Sequence, residues 1–580
     1  MMDMTESHNG RMLKGSQILL ESLINQGVDT IFGYPGGSIM PVYDALYDYT
    51  DRLRHILVRH EQGAIHAAQG YARVRNFPGT VIVTSGPGAT NVITGVADAM
   101  IDSTPVVVIA GQVPSAALGT DAFQETDLIG MTTPISKWAY HIRRPKDIAW
   151  AIARAYYIAA SGRPGPVVLD FTRDAQTGLA EYIRKDCSFI RSYVPVPEPT
   201  EESLETAAAM IDAARKPFVV FGHGIILSGA EKELAAFLEK GGIPAGSTML
   251  GLSALDSDNP HYTGMLGMHG SLASNVLTQE CDVLIAVGMR FDDRVTGTVS
   301  TYAKQAKVIH IDIDASEIGK NIPVDLGILG DAREVLSELT RRIKAGVQRD
   351  WDGEKSTCEA VEKKMVIDRE VNPGEGLIKP GEVIAAVAEA CEGKAIVVTD
   401  VGQNQLFASR YSRFKQSRSM ITSGGLGTMG FGLPAAIGAK VAAPDRPVCL
   451  FVGDGGIQMT VQELGTIMQE GTGVKIILLN NNWLGNVRQW QQLFFDERYS
   501  FTRMLNPDYE KLAEAYGITC VSLEDRAEMP AAIARMLSDD RPFILNVHVA
   551  EADNVFPMIP PGKSGGEIML NDKDWFVYGN

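Results

Sequence analysis

The stretch Val448–Val487 limits the possible folds of this chain more than any other. It opens with an unbroken apolar run, Val448–Val452, of the kind required by a parallel strand buried on both faces. Gly453-Asp454-Gly455-Gly456 follows and predicts a tight, bare turn where backbone can approach a ligand closely. An amphipathic helix is expected over roughly Thr460–Gln469, and a second buried strand over Lys475–Leu479 ends in Asn480-Asn481-Asn482. Strand, helix and strand in this order form a right-handed crossover. Asp454 and the asparagines should therefore emerge at the same carboxyl edge of one sheet. A carboxylate beside a carboxamide suits Mg²⁺, a hard cation that completes its octahedron with water and phosphate oxygens. The glycine amides and the nearby helix start favour that same anion.

The remainder of the chain repeats the alternation. Residues 12–190 carry expected strands at Thr30–Phe32, Leu53–Val58, Val81–Val83, Val106–Ala110 and Val167–Asp170, with glycine turns after several of them. The Pro-rich segment Val194–Thr200 is a linker by composition. A second unit, 201–345, has strands at Phe218–Phe221, Val283–Val287 and Val308–Ile313. A charged stretch, 346–377, reads as a connection, 378–560 as a third unit and 561–580 as a tail. The pattern predicts an α/β protein of three doubly wound parallel-sheet domains. Units one and three share a layout, which suggests duplicated domains facing one another.

Composition narrows the function. A net charge of −17 without a basic run argues against a nucleic-acid surface. The six cysteines are scattered with no CxxC, as expected in a reduced compartment. MMDMTESHNGRMLKG has neither an apolar signal core nor an Arg-rich transit pattern, and no apolar run reaches membrane-spanning length. A cytoplasmic protein is expected.

GDG followed by NN in a strand-helix-strand context resembles the thiamin diphosphate enzymes. Along about 550 residues the chain further resembles acetohydroxyacid synthases (acetolactate synthases), catalytic subunit. The resemblance is carried in order by GYPGGSIMPVYDAL, HEQGAIHAAQGYAR, SGPGATN, AGQV, DAFQETD, GRPGPVVLD, MLGMHG, GMRFDDRVTG, HIDID, SGGLGTMGFGLPAAIGA, GDGG, LLNNNWLGNVRQW and PMIPPG.

This resemblance implies a thiamin diphosphate-binding fold with three cofactors: thiamin diphosphate, Mg²⁺ and FAD. Asp454, Asn481 and the carbonyl of Trp483 would be the metal ligands. Glu61 would be the catalytic carboxyl, hydrogen-bonded to a ring nitrogen of the aminopyrimidine and driving loss of the thiazolium proton. Pro87, Asn91, Val401, Gly402, Gln403, Asn404, Gly427, Gly453 and Gly455 would line the thiamin site, and Met429 would bend the cofactor. Arg163, Met268, His269, Gly270, Arg290, Asp312 and Asp314 would contact flavin in the central domain. Phe123, Gln124, Arg294 and Trp490 would handle substrate, Arg294 pairing the carboxylate of the second 2-ketoacid and Trp490 favouring an ethyl over a methyl ketone. Asn404, Arg173 and Asn486 depart from residues frequent in the family.

The implied reaction is decarboxylation of pyruvate and carboligation to pyruvate or 2-ketobutyrate, the entry to branched-chain amino-acid synthesis. The implied partners are a second copy, because the glutamate would serve the neighbouring subunit, and a small regulatory subunit. The joint presence of Glu61, Asp454 and Asn481 argues against a non-catalytic relative. GMHG, RFDDRVTG and Trp490 disfavour a flavin-using thiamin oxidase and a flavin-free catabolic synthase.

Overall fold

The structure is a computed structural model that describes residues 8–351 and 353–577. The first seven residues of the N-terminal segment read above, Asp352 of the charged connection and the last three of the tail lie outside the described residues.

Three six-stranded sheets, every neighbouring pair parallel, form the frame. The first contains β1 (Thr30–Gly33), β2 (Arg54–Leu57), β3 (Gly79–Val83), β4 (Val106–Gln112), β5 (Trp138–Ile142) and β6 (Pro166–Thr172), in the order β2-β1-β3-β4-β6-β5. The second contains β7 (Pro217–Phe221), β8 (Ala245–Ser247), β9 (Tyr262–Met265), β10 (Val283–Val287), β11 (Lys307–Asp312) and β12 (Leu326–Leu329), in the order β9-β8-β7-β10-β11-β12. The third contains β13 (Ile396–Thr399), β14 (Met420–Ile421), β15 (Val448–Gly453), β16 (Val474–Asn480), β17 (Thr519–Leu523) and β18 (Phe543–His548), in the order β14-β13-β15-β16-β18-β17. Sheets one and three thus share a strand order, as their sequence layouts suggest. The second has the dinucleotide-fold order, which reverses between β7 and β10.

The interior strands are wholly buried: every residue of β3, β4, β6, β7 and β10 is inaccessible. That explains why they read as continuous apolar runs rather than alternating ones. The edge strand β5, WAYHI, is only half-buried, and the sequence reading passed over it. Where a bare turn was expected at Gly453–Gly456, the chain is already helical from Asp454 to Met459, and the expected Thr460–Gln469 helix begins as a 3₁₀ turn, Val461–Glu463, before Leu464–Glu470. The charged connection holds a helix over Glu354–Glu362, and the tail carries an antiparallel ribbon, Glu567–Met569 with Trp575–Val577.

The chain divides into two compact units, and the division cuts across sequence order. One comprises residues 1–195 with 425–444 and 460–472; the other comprises 196–424, 445–459 and 473–580. The first is held by the Glu61–Arg75 and Gly432–Ala442 helices, which touch backbone to backbone. A Cβ on Gly70 would lie 2.0 Å from Ala435 O, and one on Gly438 would lie 1.8 Å from Ala67 O. Arg73 and Asp102, both buried, pair at 2.9 Å beside this contact, and Asp102 also accepts from Gly425 N at 2.7 Å. Among the described residues, no helix is long and apolar enough to cross a membrane.

Candidate active site

In the first unit the carboxyl ends of β1, β2 and β3 bring three loops together. Glu61 is the first residue of its helix, with His60 as the cap: His60 Nδ1 accepts from Gln62 N at 3.1 Å. The half-buried Glu61 carboxylate accepts from Asn91 Nδ2 at 2.9 Å through Oε2, and its Oε1 lies 3.2 Å from where a Cβ on Gly88 would stand. Pro87 opens the short Pro87–Thr90 helix behind Gly86, whose φ of +59° suits glycine. Glu61, Pro87 and Asn91, singled out separately in the sequence, thus form one cluster.

Gln124, itself at φ +61°, packs on Gly86: a Cβ added there would lie 2.9 Å from Gln124 Cβ. Its neighbour Phe123 is 87% exposed. Arg163 donates to Ser103 Oγ at 2.8 Å. The glycine-rich stretch is anchored by Thr428, which donates to buried Asp98 at 2.8 Å, and Gly427 between the anchors has φ +68°. Half-buried Met429 follows directly.

In the second unit, β13, β15 and β16 are adjacent and each runs into a helix start: Gln403–Tyr411, Asp454–Met459 and, after the asparagine loop, Gly485–Phe494. Gly402 has φ +128°, open to glycine alone, and nothing stands within 4 Å of a Cβ added to Gly453. Val401 N donates to Asp400 Oδ1 at 2.8 Å, and Asn404 Nδ2 donates to Phe451 O at 3.0 Å, tying the loop after β13 to β15. These glycines and adjacent helix starts suit an anion cradle.

Beside the cradle lies Asp454, 1% exposed, with Gly453 in register with Leu479 on β16. Its carboxylate accepts from Gly455 N at 3.0 Å and from Asn506 Nδ2 at 2.6 Å. Asn506 Nδ2 also lies 2.9 Å from Asn480 Oδ1 and 3.1 Å from Asn482 Oδ1. Among the described residues only neutral donors reach Asp454, and burial raises its pKa. A buried carboxylate with hydrogen bonds but no counter-charge still costs on the order of several kcal/mol, so the arrangement suits a cation. Asn481 Oδ1 accepts from Trp483 N at 3.1 Å, placing carboxamide and peptide in one turn at Asn482, φ +60°. One carboxylate with amide oxygens fits Mg²⁺. Among the described residues no group of three or more His, Cys, Asp or Glu that could hold a metal converges.

Arg290, Asp312 and Asp314 end or follow strands on one side of the second sheet's reversal point. Gly222 follows β7 and Gly288 follows β10, and the two turns touch. A Cβ on Gly222 would lie 2.4 Å from Gly288 O, and one on Gly288, at φ +57°, would lie 2.6 Å from Gly224 Cα. Arg290 lies just beyond, Asp312 ends β11, and Asp314 N donates to Asp312 Oδ1 at 2.9 Å. Close backbone at a topological switch point with an acidic strand end fits a dinucleotide cofactor.

Met268 N donates to Arg294 O at 2.8 Å, and exposed Arg294 lies 3.8 Å from Asp293, too loose a pair to occupy its guanidinium. His269 is buried, its pKa pushed down to about 3 by burial and by Arg410, so the imidazole is neutral. Gly270 packs on Leu266 backbone, 2.5 Å from a Cβ there. Trp490 is half-buried and meets Phe494 edge-on at 5.4 Å.

Asn506, Gly222 and Gly224 were not singled out from sequence. A glycine pair, GHG, directly after the apolar FVVF strand was a usable signal. Asn506 offered none beyond an Asn-Pro turn.

Comparison with known proteins matches part of the first and third sheets and the whole of the second. Residues 13–131 match the thiamine pyrophosphate enzyme N-terminal TPP binding domain, 204–339 the central domain and 400–547 the C-terminal TPP binding domain. The chain is 45% identical over 567 residues to the acetolactate synthase large subunit of Parasynechococcus marenigrum, covering 96% of this chain and 91% of that one. It is 44% identical over 556 residues to the acetolactate synthase large subunit of Lactococcus lactis, covering 96% of each. Against the acetolactate synthase isozyme 2 large subunit of Escherichia coli it is 43% identical over 558 residues, covering 96% of this chain and 99% of the other.

Proposed function

The chain belongs to the acetolactate synthase large-subunit family, and on that premise we propose how its own residues divide the work. Its reaction decarboxylates pyruvate and joins the two-carbon unit to a second pyruvate or to 2-ketobutyrate. The products, 2-acetolactate and 2-aceto-2-hydroxybutyrate, enter branched-chain amino-acid biosynthesis. Its cofactors are thiamin diphosphate, Mg²⁺ and FAD. Thiamin diphosphate, when bound, supplies the electron sink for breaking and making the carbon–carbon bonds.

The protein's part is binding, orientation and proton handling. Asp454, Asn481 and the Trp483 carbonyl would hold Mg²⁺, and Gly402, Gln403, Gly453 and Gly455 would hold the diphosphate. Buried Asp454 without a cationic partner among the described residues is the observation that carries this reading. Glu61 holds and moves the proton at the aminopyrimidine nitrogen, with the Asn91 carboxamide fixing its carboxylate at 2.9 Å. Met429 sets the bend of the cofactor, and Pro87, Val401, Asn404 and Gly427 complete its lining. Arg290, Asp312 and Asp314 would contact the flavin near the β7/β10 reversal, with Arg163, Met268, His269 and Gly270 as further contacts. Carboligation moves no electrons overall, so the flavin has no redox role in the net reaction. Arg294 pairs the acceptor carboxylate; Trp490, Phe123 and Gln124 surround its alkyl end.

The working form is a homodimer or a dimer of dimers, in which Glu61 of one copy serves the thiamin site of its partner. The large-subunit names of the relatives support a small regulatory partner. Purified protein assayed for acetolactate with each cofactor omitted in turn tests the whole reading. Activity is expected to need all three, and full activity without added thiamin diphosphate, in protein stripped of it, would overturn it.

A further inference from the structure

The Gly485–Phe494 helix turns an unusual face inward. Arg488 and Gln489 are its buried residues, Gln489 fully so, whereas Val487 is 50% and Phe494 37% exposed. A carboxamide withdrawn from water must have its donors and acceptors met. Gln489 meets them chiefly on one short segment. Its Nε2 donates to Val555 O at 3.2 Å, and its Oε1 accepts from Val555 N at 2.9 Å and from Gln403 Nε2 at 3.0 Å. Two opposed bonds to one residue's backbone fix both the distance and the rotation of the helix. One turn further, Gln492 Oε1 accepts from Asn554 Nδ2 at 3.0 Å.

The same segment, residues 553–559, is tied at its other end to the loop that carries Arg294. Ile559 N donates to Met268 O at 2.8 Å, and Met268 N donates to Arg294 O at 2.8 Å. At its start, Asp553 pairs with Lys379 at 2.8 Å, and its carbonyl accepts from Gln403 Nε2 at 2.8 Å. A strap therefore joins the helix bearing Trp490 to the turn bearing Arg294.

We propose that Gln489 is a positioning residue for acceptor choice: by clamping its helix to the 553–559 strap, it sets where the Trp490 indole stands relative to the Arg294 guanidinium. This rests on the roles given above to Trp490 and Arg294. Gln489→Met keeps the side chain's length and loses both bonds to Val555. Assayed as holoenzyme with pyruvate and 2-ketobutyrate together, it should shift the product ratio several-fold toward that of Trp490→Leu. Bound flavin should stay near wild type, whereas thiamin diphosphate affinity reads the separate loss of the bond from Gln403 Nε2. A merely structural loss would lower both products in parallel and leave their ratio alone. If Trp490→Leu moves the ratio and Gln489→Met does not, the proposal is overturned while the reading of Trp490 stands. If Trp490→Leu does not move it either, the reading of Trp490 itself has failed, and the Gln489 proposal with it. Should Gln489→Met not fold, Gln492→Ala, which cuts the second tie, decides. A smaller shift in the same direction supports the strap, and a wild-type ratio overturns it.

Discussion

Asn506 donates its carboxamide N–H to Asp454 Oδ2 at 2.6 Å while lying 2.9 Å from Asn480 Oδ1 and 3.1 Å from Asn482 Oδ1. It therefore orients the proposed metal carboxylate and braces the asparagine loop from one point. Partners of this kind are worth roughly 10–100-fold in metal affinity. Asn506→Leu should raise the Mg²⁺ concentration needed for half-maximal thiamin diphosphate binding by about that factor, with the fold intact. A magnesium titration followed by tryptophan fluorescence quenching on thiamin diphosphate binding reads it; an unchanged midpoint would remove Asn506 from the site.

Asp454→Ala removes the carboxylate rather than its brace. Mg²⁺-dependent thiamin diphosphate binding should disappear, whereas flavin should remain bound around Gly222 and Gly288 on a different sheet. Absorbance of the purified variant near the flavin bands reports the second half. A folded but colourless protein would contradict the separation of the two sites.

Gly288 makes the complementary test. At φ +57°, with Gly224 Cα 2.6 Å from where a Cβ would stand, alanine is excluded both by conformation and by space. Gly288→Ala should cost about 1–3 kcal/mol from overpacking and strip flavin, since the two turns must part. Thermal denaturation and flavin content check it, and full flavin occupancy would mean that the β7/β10 crevice is not the flavin site.

What the sequence revealed follows burial. Strands such as β4 and β16, hidden on both faces, leave unbroken apolar runs and were read to within a residue or two. Short or edge strands such as β8 and β14 bury too few residues to leave a pattern. Glycine-rich local signals pointed to Gly402, Gly427 and Gly453, but GDGG read as a turn because glycine's propensity hides a helix start. Asn506 and Gln489 were invisible for another reason. Each acts through partners far away in sequence, at Asp454 and Val555, and periodicity carries no information about such pairs.

Glu61 is tested by exchange rather than turnover. Glu61→Gln keeps the size of the side chain and its reach to Asn91, yet cannot trade a proton with the aminopyrimidine. Exchange of the thiazolium proton should slow by roughly 10²-fold or more, with thiamin diphosphate affinity nearly unchanged. Quenched-flow proton NMR reads that rate, and wild-type exchange in the variant would sink the assignment.

Trp490 and Arg294 should separate when two acceptors compete. The indole is half-buried and meets Phe494 edge-on, which leaves it a face to offer an alkyl group. One methylene in a hydrophobic pocket is worth about 1–3 kcal/mol, so Trp490→Leu should shift the product ratio away from 2-aceto-2-hydroxybutyrate by about tenfold or more. Acetolactate should still form, because the first half-reaction meets only pyruvate. Arg294 reads the carboxylate that both acceptors share. Its guanidinium is exposed and only loosely paired with Asp293, at 3.8 Å, so it is available for that role. Arg294→Lys keeps the charge and loses the planar fork. It should weaken both acceptors together, raising the apparent KM and leaving the ratio near wild type. Competition assays with pyruvate and 2-ketobutyrate in one vessel decide between the two patterns. A ratio change in the Arg294 variant, or none in the Trp490 variant, would reverse the roles assigned to them.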